Sequence, residues 1–312
     1  MRTSFCNLVL RRFILAVPLC LSFAQAYGEK LAITFDDLPF NGELAPGTTR
    51  VGIVDDVLRI LQQHHVPQVY GFVNAGKLEG ARVDGALALL HWVAGGEAVG
   101  NHAYTHVDIN DSTPEIFLTE VRRDEPILAL LDAADHWHWF RYPYLRDGDT
   151  LDKRRAVSQR LRESGYRIAQ VTLDYGDYVW NSAYARCYAA RDARQVAWLK
   201  SSYLATASAY IDADRQMAKL VFGRPINHVL LLHLGAFSTA ILPELLDLLR
   251  AKGFEFVTLE QAHEDVAYAS IPSVVSKSGG TLLVQWMNAR HLPYPKVAPR
   301  PLDQLASVCE TH

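Results

Sequence analysis

The sequence predicts an α/β fold in which helices cover a mostly parallel sheet. Short apolar segments alternate along the chain with longer segments of helical periodicity. This alternation is typical of strands joined by crossover helices, the connection that parallel strands require. It is compatible with a barrel or with an open doubly wound sheet. The seven candidate strands are residues 31–35, 66–73, 97–101, 139–141, 168–173, 228–234 and 255–259.

The helical segments show apolar residues that recur every three or four positions, as in residues 49–64. Thr113 is placed to cap a helix that begins at Pro114. Gly253 is placed to end the last helix. The principal predicted helices are residues 49–64, 114–131, 150–164, 193–220 and 239–252.

The chain has 312 residues, of which 49% are hydrophobic and 21% charged, so a disordered protein is excluded. From about Ser270 the amino-acid composition changes, because residues 270–312 hold five of the 14 prolines and a Gly-Gly pair. We expect residues 27–269 to form the α/β domain and residues 270–312 an extension, either irregular and packed on the domain or partly ordered.

The first 26 residues have the pattern of a secretory signal peptide. Three arginines and an apolar run over residues 13–23 precede Ala24-Gln25-Ala26, a small-x-small cleavage site. The apolar run is shorter than the ~20 residues that span a bilayer, so we expect no stable membrane insertion. Cys20 leaves lipid anchoring as a less favoured alternative. We expect export to the periplasm or the medium.

Removal of the signal peptide takes three basic and no acidic residues, which changes the formal net charge from −3 to −6. A nucleic-acid partner is therefore not expected, because phosphate binding needs a basic surface. Two cysteines, Cys187 and Cys309, remain in the exported chain. In an oxidising compartment they can form one disulfide, and two free buried thiols are the alternative.

Polar side chains gather at the carboxyl ends of the predicted strands, where parallel barrels carry their sites. His102 and His106 are four residues apart, and with one carboxylate they make a facial metal site with open positions. A structural histidine pair and a solvated acidic turn are the alternatives. The polar strand ends are Asp36-Asp37, His102 and His106, Arg141 to Tyr144, Asp174 with Asp177, and His233.

Taken in order, these segments resemble the five motifs of NodB-type polysaccharide deacetylases, which form carbohydrate esterase family four (CE4). The matching segments are Thr34-Phe35-Asp36-Asp37, His102-x-x-x-His106, Arg141-x-Pro143-Tyr144, Asp174 to Asp177 and Leu231-Leu232-His233. The resemblance covers roughly residues 30–262. It implies a distorted seven-stranded (β/α) barrel and the hydrolysis of an N-acetyl amide on a sugar.

By this resemblance Asp37, His102 and His106 bind a divalent metal, most simply Zn²⁺, and Asp36 is the general base. Such a metal lowers the pKa of its water and polarises the amide oxygen, and the base then removes the water proton. His233 is implied as the general acid that protonates the departing amine.

The same resemblance gives supporting roles to other motif residues. Asp177 orients His233, Arg141 holds Asp36, and the backbone N–H of Tyr144 contributes to the oxyanion hole. The alternatives are a core histidine for His233 and an ordinary salt bridge at the rim for Arg141.

Aromatic residues around the rim suggest a groove for a glycan, because aromatic faces stack on pyranose rings. Tyr144, Trp137, Tyr178 and Trp180 are the candidate substrate contacts, whereas Trp139 and Phe140 are expected in the core. The motifs depart from the family at Leu38, Ala103 and Tyr178, where Gly, Ser or Thr, and Trp are usual. These departures concern substrate choice and efficiency more than reaction class.

The sequence therefore predicts an exported, metal-dependent N-deacetylase of an N-acetylated glycan such as peptidoglycan, exopolysaccharide or a chitin-like polymer. Hydrolysis of another C–N amide, such as a formamide or a small amide, is the alternative within enzymes. A glycan-binding relative without turnover is the alternative outside them. Nothing in the sequence indicates the oligomeric state.

Overall fold

All seven predicted strands are present in a computed structural model, which describes residues 29–310 apart from the side chains of residues 81 and 82. The predicted signal peptide lies outside these residues. The strands are β1 (Lys30–Asn41), β2 (Tyr70–Val73), β3 (Ala98–Asn101), β4 (Trp139–Phe140), β5 (Arg167–Ile168), β6 (His228–Gly235) and β7 (Glu255–Phe256).

The strands form one parallel sheet that curls into a distorted barrel, which confirms the predicted fold class. Their order is β5-β4-β3-β2-β1-β6, and β7 pairs with the first residues of β1. The segment after β5 reaches the other edge, where Leu173 forms a parallel bridge with Leu230 of β6. The N–H groups of Thr172 and Leu173 both donate to the Val229 carbonyl, at 3.1 and 3.0 Å. The carboxyl ends of the seven strands therefore lie around one rim of the barrel.

Four strands, β1, β2, β5 and β7, differ by three residues or more from their predicted lengths. β1 and β5 show that pairing, not local apolarity, sets where a strand ends. β1 continues six residues beyond Phe35 to Asn41, since Leu38 pairs with Val73 of β2 and Asn41 with Gly235 of β6. β5 keeps only two residues next to β4. The residues after it leave β4 and cross to β6.

The predicted helices are confirmed to within a few residues. Thr113 accepts a hydrogen bond from the Ile116 N–H at 3.3 Å, and Gly253 follows the last long helix with φ +85°. The helices are α1 (Arg50–Gln63), α2 (Leu78–Ala94), α3 (Pro114–Leu131), α4 (Leu151–Glu163), α5 (Val179–Ala189), α6 (Ala193–Phe222), α7 (Ser238–Ala251), α8 (Leu259–His263), α9 (Leu282–Ala289) and α10 (Leu302–Ser307).

The largest core lies between the sheet and the surrounding helices. Buried aliphatic side chains of α1 and α7 pack there against the apolar residues of β1 and β6. A smaller cluster, which contains Tyr70, Phe72 and Trp139, packs together with α8. As expected, Trp139 and Phe140 belong to the core, with exposures of 2% and 0%.

The C-terminal extension contains two helices. Leu283 and Met287 of α9 pack on Met217 of α6 in a cluster of their own. Cys187 of α5 and Cys309 form a disulfide with a Cα–Cα distance of 5.1 Å, which decides between the two alternatives for these cysteines. None of the helices within residues 29–310 has both the length and the apolar character to cross a membrane.

Candidate active site

The three predicted metal ligands lie close together at the rim of the barrel. Asp37 lies in the extended part of β1, His102 directly follows β3, and His106 comes four residues later. One ligand atom from each of these residues lies within 4.8 Å of the other two. Asp37 and His102 are buried, and His106 is half-buried. The three side chains therefore offer one oxygen and two nitrogens to a single point.

The two histidines meet through a tight turn, not through the helical turn that their spacing suggested. Ala103 and His106 both have left-handed backbones, with φ of 60° and 56°, and Asp37 has φ of 70°. Such backbones are unfavourable for residues with a side chain and persist only where the surroundings hold them. Here the strained residues are two of the three ligands and the residue after the third.

Two buried asparagines hold this turn. The Asn74 amide, at the end of β2, donates to the carbonyls of His102 and Ala103 at 2.6 and 2.7 Å. The Asn101 side-chain oxygen accepts the Ala103 N–H at 2.9 Å, and its amide donates to the Tyr166 hydroxyl. Both asparagines are 0% exposed. They position the ligand turn from behind and are not placed to contact a substrate.

The histidines present unprotonated nitrogens. Nδ1 of His102 lies 2.7 Å from the Arg141 carbonyl, which can only accept, so Nδ1 carries the proton and Nε2 is left with a lone pair. Burial lowers the pKa of His102 to about 3 and that of His106 to about 4. Both rings are therefore neutral at pH 7, the form that binds a metal ion.

Asp37 has one oxygen engaged and one available. Its Oδ2 accepts a hydrogen bond from Asn41 at 2.6 Å. Its Oδ1 is buried without a hydrogen bond to any described residue, although Lys77 Nζ lies 3.0 Å away outside hydrogen-bonding geometry. Burial alone would raise the pKa of Asp37, but Lys77 and His106 hold it below its usual range. A buried carboxylate oxygen without a hydrogen bond, beside two neutral imidazoles, fits a divalent cation.

Asp36 is held by Arg141 inside the barrel. Arg141 Nη1 lies 3.1 Å from Asp36 Oδ1, and the guanidinium also donates to Thr34 Oγ1 and the Ala169 carbonyl. Arg141 lies over the Phe72 ring and is 1% exposed, so it is not an ordinary salt bridge at the rim. Burial raises the pKa of Asp36, and Arg141 opposes that rise.

His233 faces Asp36 from the neighbouring strand, since the two residues are register partners in the β1–β6 pair. Asp177 accepts two hydrogen bonds from His233, one from Nδ1 at 2.7 Å and one from the backbone N–H at 2.8 Å. Burial alone would lower the pKa of His233, but the Asp177 carboxylate raises it to about 9. His233 is therefore a cation at neutral pH, unlike the two ligand histidines.

The predicted aromatic contacts divide into two groups. Tyr144 and Tyr178 are 54% and 48% exposed, and each ring meets a site histidine edge-on: Tyr144 with His106 and Tyr178 with His233. Their ring centroids lie 4.4 and 5.1 Å from those of the histidines. The two tyrosines therefore flank the site at its surface.

Trp137 and Trp180 are not placed to contact a glycan. Trp180 is 0% exposed, and its indole N–H donates to Ser202 inside the protein. Trp137 is 7% exposed and precedes β4, so it lies at the end of that strand away from the site. Both residues belong to the core and are not substrate contacts, because aromatic clustering in the sequence does not distinguish a groove wall from core.

Two residues at the site were not singled out from the sequence. Lys77, in the turn before α2, approaches the Asp37 carboxylate and donates to the carbonyls of Asp37 and Phe40. Asn41 follows Asp37 by four residues at the end of β1. A signal for Asn41 would have been strand pairing beyond Asp37, but the predicted strand stopped at Phe35.

Fold and site together are those of a barrel hydrolase. Residues 25–169 match the family model for polysaccharide deacetylases, which confirms the resemblance drawn from the motifs. The matched segment is slightly less than half of the chain, and in it the chain is similar to this family of hydrolases that act on N-acetyl C–N bonds. The match includes the first three motifs but ends before Asp177 and His233. No curated protein matches the chain by sequence.

Solved structures of the same fold are similar to this chain at low identity. A chitin deacetylase from the fungus Colletotrichum lindemuthianum is 21% identical, with a TM-score of 0.50 over 81% of this chain and 93% of the other. A CE4 family pseudoenzyme from Bacillus anthracis is 14% identical, with a TM-score of 0.51 over 76% of this chain and 66% of the other. At these identities the likeness concerns the fold alone.

Proposed function

We propose that this protein is an exported, metal-dependent N-deacetylase of an N-acetylated glycan. The observation that carries the proposal is the pairing of Asp36 with His233 beside Asp37, His102 and His106. A buried carboxylate and a protonated imidazole on adjacent strands are a matched base and acid for amide hydrolysis. Residues 1–26 supply the export signal in this proposal.

Asp37, His102 and His106 would hold the divalent metal. When bound, a zinc ion would lower the pKa of a water molecule and polarise the amide oxygen. Three protein ligands leave positions for water and substrate, which is the arrangement of catalytic zinc sites. The neutral histidines and the Asp37 oxygen without a hydrogen bond support this assignment.

Asp36 takes the proton of the attacking water as the water oxygen bonds to the amide carbon. Its raised pKa makes the carboxylate a better base than an exposed aspartate, and Arg141 keeps it aimed into the site. The Tyr144 N–H donates to the developing oxyanion. No described residue accepts a hydrogen bond from this N–H, which supports that role.

His233 gives its proton to the amide nitrogen as the C–N bond breaks, so acetate and an amine leave. An amine is a poor leaving group unless it is protonated, and the Asp177 carboxylate keeps His233 charged for this step. Because the nitrogen is attached to the sugar, the sugar ring lies on the His233 side. Tyr178, exposed against His233, is there to stack on it.

Acetate release tests the proposal. The protein from Tyr27 onward would be incubated with N-acetylglucosamine oligomers and peptidoglycan, with zinc, after chelation, and after zinc is restored. We expect release that chelation abolishes and zinc restores. A parallel arm with formylated and small acetylated amides tests the other C–N hydrolase alternative, which would be favoured by turnover of these compounds alone.

A glycan-binding protein without turnover is the second candidate. It is favoured by the pseudoenzyme among the similar structures, which shows that this fold exists without activity. Zinc-loaded protein that binds an oligomer by calorimetry but releases no acetate would establish this candidate and overturn the proposed enzyme. An Asp36→Asn variant is the control, because binding without chemistry should survive it.

A further inference from the structure

The C-terminal extension is tied to the catalytic domain at its far end. Besides the disulfide at Cys309, Arg186 of α5 donates to the carbonyls of Leu305, Ala306 and Val308. At its near end α9 packs on α6. Residues 291–301, which we call the strap, have no regular secondary structure and cross between these two attachments. The strap is therefore fixed at both ends.

The strap brings Arg300 to the rim of the active site. Its guanidinium packs on Gly176, where a Cβ would overlap it. Gly176 has φ +66° and directly precedes Asp177, the partner of His233. Glycine is needed here both for the backbone and for the close approach of Arg300. The guanidinium thus lies one residue from the Asp177–His233 pair.

Arg300 has no ionic partner within residues 29–310. Its side chain forms no salt bridge or hydrogen bond with them, and it is half-buried. Neither neighbouring acid forms a salt bridge with it. Asp174 Oδ1 accepts the Gly176 N–H at 2.8 Å, and burial raises the pKa of Asp174 while the charge of Arg300 opposes that rise. Both Asp177 oxygens bind His233. A partly desolvated guanidinium that forms no salt bridge favours an anionic ligand, and its planar fork suits a carboxylate.

We propose that Arg300 binds a carboxylate of the glycan substrate, so the preferred substrate is an acidic N-acetylated glycan. This inference rests on the proposed deacetylase function. It places the carboxylate on the sugar side of the site, because His233 and Tyr178 face the departing sugar amine. A uronic acid next to the N-acetylated sugar and the lactyl ether of a muramic acid both supply such a group.

Three oligomers of equal length test the inference and separate the two sources. One alternates N-acetylglucosamine with glucuronic acid, one alternates it with N-acetylmuramic acid, and one is a neutral N-acetylglucosamine homo-oligomer. We expect the wild type to prefer one acidic oligomer. Arg300→Ala should raise KM for that oligomer by about 10- to 100-fold, the range for a lost charge-assisted contact, with kcat nearly unchanged. KM for the neutral oligomer should change less than about twofold.

Arg300→Lys should recover part of the affinity, and the acidic preference should weaken with added salt. Lys296→Ala is the matched control, because Lys296 is a cation of the same strap but is exposed. Equal losses on acidic and neutral oligomers would assign Arg300 a structural role and overturn the inference. So would a wild type without acidic preference. If the wild type releases acetate from no oligomer at all, the proposed function fails instead.

Discussion

At the scale of single residues, the three histidines of the site differ in charge because their neighbours differ. His102 and His106 are neutral because burial lowers the pKa of each ring, whereas His233 is charged because a carboxylate raises its pKa to about 9. Sequence shows the three histidines but not this division. The division matters because a ligand must be unprotonated and an acid must carry its proton.

We predict that kcat for deacetylation falls as the pH rises through about 9, since His233 then loses the proton it must donate. The Asp177→Asn variant lacks the carboxylate that raises the pKa of His233, but it keeps the burial that lowers this pKa. The alkaline limb of the kcat–pH profile should therefore move to lower pH. An alkaline limb at the same pH in both proteins would contradict the role of His233.

Asp36→Asn should lower kcat by about 10²- to 10⁴-fold, because an amide of the same shape cannot take the water proton. Zinc binding should persist, since Asp37, His102 and His106 are unchanged. Asp37→Asn is the matched control and should instead weaken zinc binding. Metal content and acetate release measured on both variants distinguish the two acids, and a fully active Asp36→Asn would refute the assignment.

At the scale of elements, the strand ends are set by neighbours in the sheet. The extension of β1 to Asn41 places Asp37 where Asn41 and Lys77 reach it, and no local pattern marked that extension. The turn from His102 to His106 likewise depends on Asn74 at the end of β2. The four-residue spacing of His102 and His106 correctly predicted that the two side chains lie close together. It wrongly suggested that a helical turn joins them.

Asn74→Ala should destabilise the fold and the metal site together. It leaves the buried His102 carbonyl unpaired, whereas the Ala103 carbonyl keeps the His106 N–H at 3.1 Å. The free energy of unfolding should therefore drop by roughly 1–3 kcal/mol. Loss of a residue that orients a ligand should weaken zinc affinity by about 10- to 100-fold. Denaturant unfolding and zinc titration measure the two effects.

Asn227→Ala is a matched control for this prediction. Asn227 also donates to two carbonyls, those of Gln261 and Ala262, but at 3.4 Å each and just before β6, at the end of that strand away from the site. We expect a smaller loss of stability and unchanged zinc affinity. Equal zinc affinities in the wild type and Asn74→Ala would show that the turn does not need Asn74.

At the scale of the whole molecule, the extension after residue 269 packs against the α/β domain. Its proline content predicted an irregular segment, and the strap is one, but α9 and α10 are helices in contact with α6 and α5. They are short, with eight and six residues, so their own periodicity is a weak signal. Packing against longer helices stabilises them.

The Cys187→Ser, Cys309→Ser double variant should unfold at a lower temperature than the wild type. The disulfide joins residues 122 positions apart, and closing so long a loop contributes about 3–5 kcal/mol. For a chain of this size the expected decrease in Tm is roughly 5–15 °C. Wild-type protein treated with a reductant should approach the same Tm, and a Tm insensitive to both changes would contradict the prediction.

The sequence by itself determined the seven strands, the principal helices and the polar residues at the strand ends. These follow from apolar periodicity and from the order of motifs, which are local properties of the chain. Only the tertiary structure decided the closure of the barrel through Leu173 and Leu230, the burial of Trp137 and Trp180, and the position of Arg300 beside Gly176. Each of these joins residues distant in sequence, and packing between such segments leaves no mark on local periodicity.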